Sequence, residues 1–287
     1  SYMADVSDDS SRSANFGLIG AAWGVGFIVG PLIGGLVGSL GHQAPFLVAA
    51  GLNLVNFCFG IFVLPESLPA EKRRQVDLHR LNPLKSLLKI LKPSPILAFV
   101  YCYFFLFLAG QVHPSIWTLY TQFKFHWTTF DVGISLTCVG LSMAIVQGGL
   151  TRFIIPKIGD HRALIYGAWL ELIGFVLFAV ATTGWMMYAI FVATALSAIA
   201  NPAIQSLISK DVPSEEQGEL QGSLMSIASI TSIIGPLLYT RLFAHFTDVN
   251  SGFFFPGAPY LAAGLICLLA LGALAFKRSS VTEPQAS

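Results

Sequence analysis

Residues 163–182 read ALIYGAWLELIGFVLFAVAT, a run in which Glu171 is the only formally charged side chain. Crossing the hydrocarbon core of a bilayer takes about 20 mostly apolar residues in a helix, because a helix satisfies its own backbone hydrogen bonds where no water is present. The run therefore reads as a membrane span. Seven more stretches outward from it meet the same condition: 16–40, 45–64, 96–119, 132–155, 185–208, 220–243 and 255–276. The fold class that follows is an all-α, multi-pass membrane protein of eight transmembrane helices. Composition agrees, since 54% of the 287 residues are hydrophobic and only 11% charged, more apolar than a water-soluble domain can bury.

Several function classes fall away on charge and cysteine usage. A net charge of +1 supplies no concentrated basic face, so no nucleic-acid partner is expected. Cys58, Cys102, Cys138 and Cys267 each lie in an apolar run without zinc-type spacing, which leaves them as small core hydrophobes and predicts no metal site and no cofactor. Residues 1–15 are polar and acidic, unlike a signal peptide, and read as a loop entered from upstream. The expected surroundings are the lipid bilayer.

The positions of the charges orient the chain. Of the 16 Lys and Arg residues, all but Lys124 and Arg241 fall on one side of the eight spans: Arg12; Lys72, Arg73, Arg74, Arg80, Lys85, Lys89 and Lys92; Arg152, Lys157 and Arg162; Lys210; Lys277 and Arg278. By the positive-inside rule that side, with both ends of the chain, is cytoplasmic. Trp117, Tyr120, Trp127, Trp185 and Tyr188 gather toward the other side as an interfacial belt. Arg241 lies close enough to that surface to snorkel and receives no transport role.

Residues 65–95 form the one long connection, basic and proline-bearing, and read as a joint between two helical halves that also fixes orientation. The expected organisation is then 1–64 as the end of an N-terminal half, 65–95 as a cytoplasmic central loop, and 96–287 as a six-helix C-terminal half with a short tail. An internal repeat supports it. Gly17, Ile28, Gly30, Pro31 and Leu32 recur as Gly222, Ile233, Gly235, Pro236 and Leu237 at a constant offset of 205, aligning the first span with the fifth after the joint. If the halves match, about 110 residues and four spans precede Ser1.

The first span carries Gly26-x-x-x-Gly30-Pro31-x-x-Gly34-Gly35. Glycines at these intervals let backbones approach closely, and an internal proline frees a carbonyl and bends the helix; ordinary small-residue packing is the competing reading. The complete pattern resembles that of the fifth helix in the antiporter branch of the major facilitator superfamily. Ala4-Asp5-Val6, Leu64-Pro65-Glu66-Ser67, the run from Gln217 to Ser223 and the run from Thr231 to Leu238 are similar to the tetracycline-efflux (Tet) group, and this resemblance covers essentially the whole chain. It implies the major facilitator fold, with these eight spans as helices five to twelve of twelve, in a bacterial inner membrane, exchanging a drug for protons by alternating access. Lys157, Gly159 and Arg162 resemble the remnant of the family's cytoplasmic loop motif, with Pro156 at its acidic position.

An ionised Glu171 at mid-membrane costs about 2.5–3.5 kcal/mol on insertion scales, a cost that protonation removes. The Tet group carries an aspartate at this place, so the resemblance also points to proton coupling. The competing reading is a protonated carboxyl hydrogen-bonded to a neighbour for structure alone, since this helix is usually a peripheral support in the family. Gln111, His113, Trp117, Gln147, Asn201 and Gln205 are polar residues within spans, expected to turn inward and line a substrate path; helix-to-helix hydrogen bonding is an equal reading for each. Gln111, Pro114 and Trp117 also resemble a Tet segment that implies drug contact. His113 sits toward the outer end of its predicted span, where a local bond is the plain expectation, and Met143 stands where some Tet proteins carry histidine.

Proton-coupled drug efflux is thus the leading expectation, by a chain unable to transport alone. An uptake permease of the same fold is the alternative. A membrane-embedded enzyme would need acid, base or nucleophile groups converging near an interface, and no such set is evident, so no catalytic residue is assigned.

Overall fold

The computed structural model describes residues 15, 17–19, 22, 24–26, 29–30, 33, 37, 41, 43–63, 96–210, 212–213, 216–248 and 252–282. Every regular element among them is helical. Seven helices are long and apolar enough to cross a membrane: α1 (Ala44–Phe62), α2 (Leu97–Phe125), α3 (Phe130–Ile158), α4 (Asp160–Val180), α5 (Gly184–Lys210), α6 (Gln217–Thr247) and α7 (Ala258–Ala275). The described residues of the first predicted span are helical as well, with Gly17–Gly26 a shorter apolar segment. Pro31, Gly34 and Gly35 of the glycine motif and the joint at 65–95 lie outside the described residues.

The helices overrun the apolar stretches that predict them. The apolar run of α2 stops at Leu119, yet the helix continues through Tyr120, Thr121, Gln122, Phe123 and Lys124, because polar residues at the membrane edge continue a helix as readily as apolar ones. Local signals set the true ends. His126 adopts a left-handed backbone (φ 56°) that stops α2. Thr128 and Asp131 then form a reciprocal capping box at the start of α3: the Thr128 N–H donates to Asp131 Oδ2 at 2.8 Å, and the Asp131 N–H donates to Thr128 Oγ1 at 3.3 Å. Gly159 alone joins α3 to α4, and its φ of 82° is a conformation that disfavours any residue with a Cβ.

Packing in the C-terminal half follows small residues. α7 lies against α2 and α4, α5 runs along α4, and α6 runs along α2. At Gly167 a Cβ would fall 2.8 Å from Ala200 Cβ and 2.9 Å from the Ser197 carbonyl, so α4 and α5 meet backbone to backbone. Phe175, Ile116, Leu164, Ile204, Leu224 and Tyr260 are fully buried in the resulting core.

Two helices depart from regular α geometry where the cavity described below opens. α3 widens into a π-helical turn at Ala144–Leu150, and α5 tightens into a 3-10 turn at Ala195–Ile199. The first span meets the widened region of α3 directly. A Cβ at Gly17 would sit 2.5 Å from the Gln147 carbonyl oxygen, and one at Gly24 would sit 2.6 Å from that of Gly140.

Candidate functional site

α2, α3, α4 and α5 border a partly open cavity of about 550 Å³. Glu171 lines it, with His113, Trp117, Gln147 and Asn201, so five of the seven polar residues singled out within spans converge on one space. Helix periodicity explains the contribution of α4, because Glu171, Gly174, Phe175 and Phe178 recur at intervals of three and four and share one face. Glu171 is thus part of the cavity wall, on a helix that the family resemblance makes a peripheral support.

Gln111 and Gln205 are not in that wall. Gln111 turns toward α6, where Gly235 leaves room for its side chain; a Cβ on Gly235 would collide with it. Gln205 lies one helical turn beyond Asn201, the last residue that α5 contributes to the lining. His113 lies near the middle of α2, which extends to Phe125. It does not make the local bond expected of it: His113 Nδ1 is buried without a hydrogen-bond partner among the described residues. Its ring is boxed by Phe178, Phe175, Tyr260 and Trp117 at centroid distances of 5.3, 5.6, 5.7 and 5.8 Å.

Several other polar groups of the cavity are already satisfied. The Trp117 indole N–H donates to Ser135 Oγ at 2.9 Å, and Ser135 donates in turn to the Val132 carbonyl at 2.6 Å. Thr194 Oγ1 donates to the Ile190 carbonyl at 2.8 Å. Glu171, by contrast, forms no hydrogen bond or ion pair among the described residues. The structural reading of Glu171, a carboxyl tied to a neighbour, thus finds no partner there. No group of three or more His, Cys, Asp or Glu side chains suited to a metal occurs among the described residues.

Sequence reasoning missed the aromatic wall of Phe175, Phe178 and Phe191. For the first two, a signal exists in their spacing from Glu171. It also missed Asp160, the first residue of α4, which accepts hydrogen bonds from Ser206 Oγ at 2.9 Å and from Lys210 Nζ at 2.8 Å. With Pro156 at the expected acidic position, the loop motif is visible only in Lys157, Gly159 and Arg162. The acid that ties the start of α4 to the end of α5 stands four residues later.

The sequence profile of the Major Facilitator Superfamily matches residues 1–236 and 102–287, in two overlapping placements. The chain belongs to the major facilitator superfamily. Its members are transporters, and the chain is a multi-pass membrane transporter protein, not an enzyme. Among its relatives, the class C tetracycline resistance protein of Escherichia coli is 36% identical over 282 residues, covering 98% of this chain and 70% of the relative. The class G tetracycline resistance protein of Vibrio anguillarum is 36% identical over 245 residues, covering 85% of this chain and 62% of the relative. The chain thus spans only part of the length of such proteins. Among solved structures of the superfamily, the human organic anion transporter MFSD10 (TETRAN) superposes with a TM-score of 0.78 at 24% identity, over 95% of this chain and 66% of that one. At that identity the likeness concerns the fold alone.

Proposed function

We propose that this chain is part of a carrier that exports a tetracycline-like drug in exchange for protons, with Glu171 as a proton-carrying group. The observation that carries the reading is Glu171 itself: a carboxyl at mid-membrane, on a cavity wall, with no partner among the described residues. A lone buried carboxyl is costly when ionised and free of that cost when protonated, so it suits a site that gains and loses a proton as access alternates. The relationship to tetracycline resistance proteins supplies the drug class.

His113, Trp117, Gln147 and Asn201 form the C-terminal half's share of the solute path in this reading, while Gln111 and Gln205 serve helix packing. The halves are 1–64 with its upstream partners and 96–287, joined by a cytoplasmic loop at 65–95, and they rock about a midplane site. Because this chain spans only part of the length of its relatives, activity is assigned to the carrier that contains it. The 287 residues alone are expected not to transport.

Everted membrane vesicles from cells making the complete carrier test the reading. An imposed inward-acid gradient should drive tetracycline accumulation, and Glu171→Gln should remove it while leaving the amount of carrier in the membrane unchanged. Full proton-linked accumulation by Glu171→Gln would sink the role given to Glu171. Drug flux in the opposite direction would favour an uptake permease.

A further inference from the structure

We propose that the corner where α3 gives way to α4 is a binding site for an anionic phospholipid, its phosphate meeting Arg152, Lys157 and Arg162 and its acyl chains lying along an exposed stripe of α4. The inference is independent of what the carrier moves and requires only that these helices stand in a bilayer.

Charge at this corner is unbalanced. The one acid between residues 152 and 162 is Asp160. Its side chain is nearly buried and accepts from Ser206 Oγ at 2.9 Å and from Lys210 Nζ at 2.8 Å, so its charge is answered inside the protein. Arg152, Lys157 and Arg162 are exposed and form no ion pair among the described residues. The Arg152 guanidinium instead sits 4.7 Å from the centre of the Phe153 ring, a contact that engages its charge and not its N–H donors. Gly159 alone separates the two helices, which keeps Lys157 and Arg162 within five positions of each other. Guanidinium groups pair with phosphate oxygens through charge-assisted hydrogen bonds. A headgroup of net negative charge therefore suits three unanswered cations, whereas a zwitterionic one would bring a further cation among them.

The order of residues into the membrane names the rest of the ligand. Arg162, Tyr166, Trp169, Ile173, Val176 and Val180 recur at intervals of three and four and are all exposed, so they form one stripe of α4. At the rise of a helix, Tyr166 stands about 6 Å and Trp169 about 10 Å deeper than Arg162. Tyr166 is 59% and Trp169 49% exposed, although large rings are the side chains a helix bundle gains most by burying. A cation, then rings suited to the headgroup boundary, then aliphatic side chains reproduce the sequence of phosphate, glycerol and acyl chain along a phospholipid. A soluble anion would use only the first of these.

Trp169 is a reporter inside the site. The purified 287-residue chain is placed in phosphatidylcholine vesicles in which a fixed share of lipid, either phosphatidylglycerol or phosphatidylcholine, carries bromine near the glycerol end of its chains. The quenching that Trp169→Phe removes belongs to this site, and from it phosphatidylglycerol should be preferred at least about ten-fold. Arg162→Gln should lower the preference about five-fold, the size of one basic side chain at an anionic surface, and Arg162→Lys should retain most of it. The triple variant Arg152→Gln, Lys157→Gln, Arg162→Gln should show none. Lys124→Gln, the same loss of charge at the far end of α2, should leave it unchanged, and millimolar glycerol phosphate should not displace the brominated lipid. Circular dichroism and a monodisperse elution profile establish that each variant is folded. Equal quenching by the two lipids, a preference unchanged in the folded triple variant, an equal loss in Lys124→Gln, or displacement by glycerol phosphate would overturn the proposal.

Discussion

Tyr239 donates its hydroxyl to the Leu108 carbonyl at 2.9 Å, pinning the middle of α6 to α2. Its ring is fully buried, so Tyr239→Phe removes the bond with little change of volume. Bonds of this kind between membrane helices contribute about 0.6 kcal/mol on average and at most about 1.7. Thermal unfolding of the detergent-solubilised chain should accordingly show a small loss for Tyr239→Phe, and a loss above that ceiling would mean that the hydroxyl holds more than this contact. At this scale the sequence is informative about residue type and poor about direction. That Glu171, His113, Trp117, Gln147 and Asn201 turn inward follows from the cost of polar groups in lipid. That Gln111 turns instead to a neighbouring glycine depends on Gly235 of α6, 124 positions along the chain, and no local pattern encodes it.

Helix contacts here are decided by backbone proximity, which makes glycine substitutions sharply position-dependent. At Gly167 the colliding atoms include the Ser197 carbonyl and the Ala200 backbone nitrogen, which cannot rotate away. Gly167→Leu should therefore push α4 from α5 and lower stability by about 1–3 kcal/mol, the usual size of overpacking. A methyl group added at Gly133 in α3 would meet nothing within 4 Å, and Gly133→Ala should be neutral or stabilising by up to about 1 kcal/mol, since alanine is the better helix former. Comparing melting temperatures of the two variants checks both expectations. Elements are the most legible level of the sequence because lipid leaves an exposed chain one way to satisfy its backbone. Their ends are less so: His126 and the Thr128–Asp131 box lie in polar residues that hydropathy does not weigh.

For the whole molecule, the asymmetry of Lys and Arg predicts that 65–95 and the C-terminal tail are cytoplasmic and that the turn at His126 faces outward. A fluorescent protein fused after Ser287 should fluoresce, and alkaline phosphatase inserted at His126 should be active; the reverse pair of results would invert the proposed orientation. The superfamily fold is legible from eight apolar runs and from a repeat carried by five residues. The cavity is not legible. It is made by four helices whose shared faces are fixed only when α3 widens and α5 tightens at its border, and neither change of winding has a signature in the apolar pattern.

The widened turn of α3 has a mechanical consequence. Gln147 gives its side chain to the cavity and its carbonyl to the contact with Gly17 of the first span. One residue thus belongs to two boundaries, and a change of winding there acts on both. If an occupant of the cavity favours one arrangement of that contact, thermodynamic reciprocity requires the same arrangement to favour the occupant by an equal factor. Gln147 then works as a shared bearing, through which the load inside one half and the fit between neighbouring helices are a single quantity.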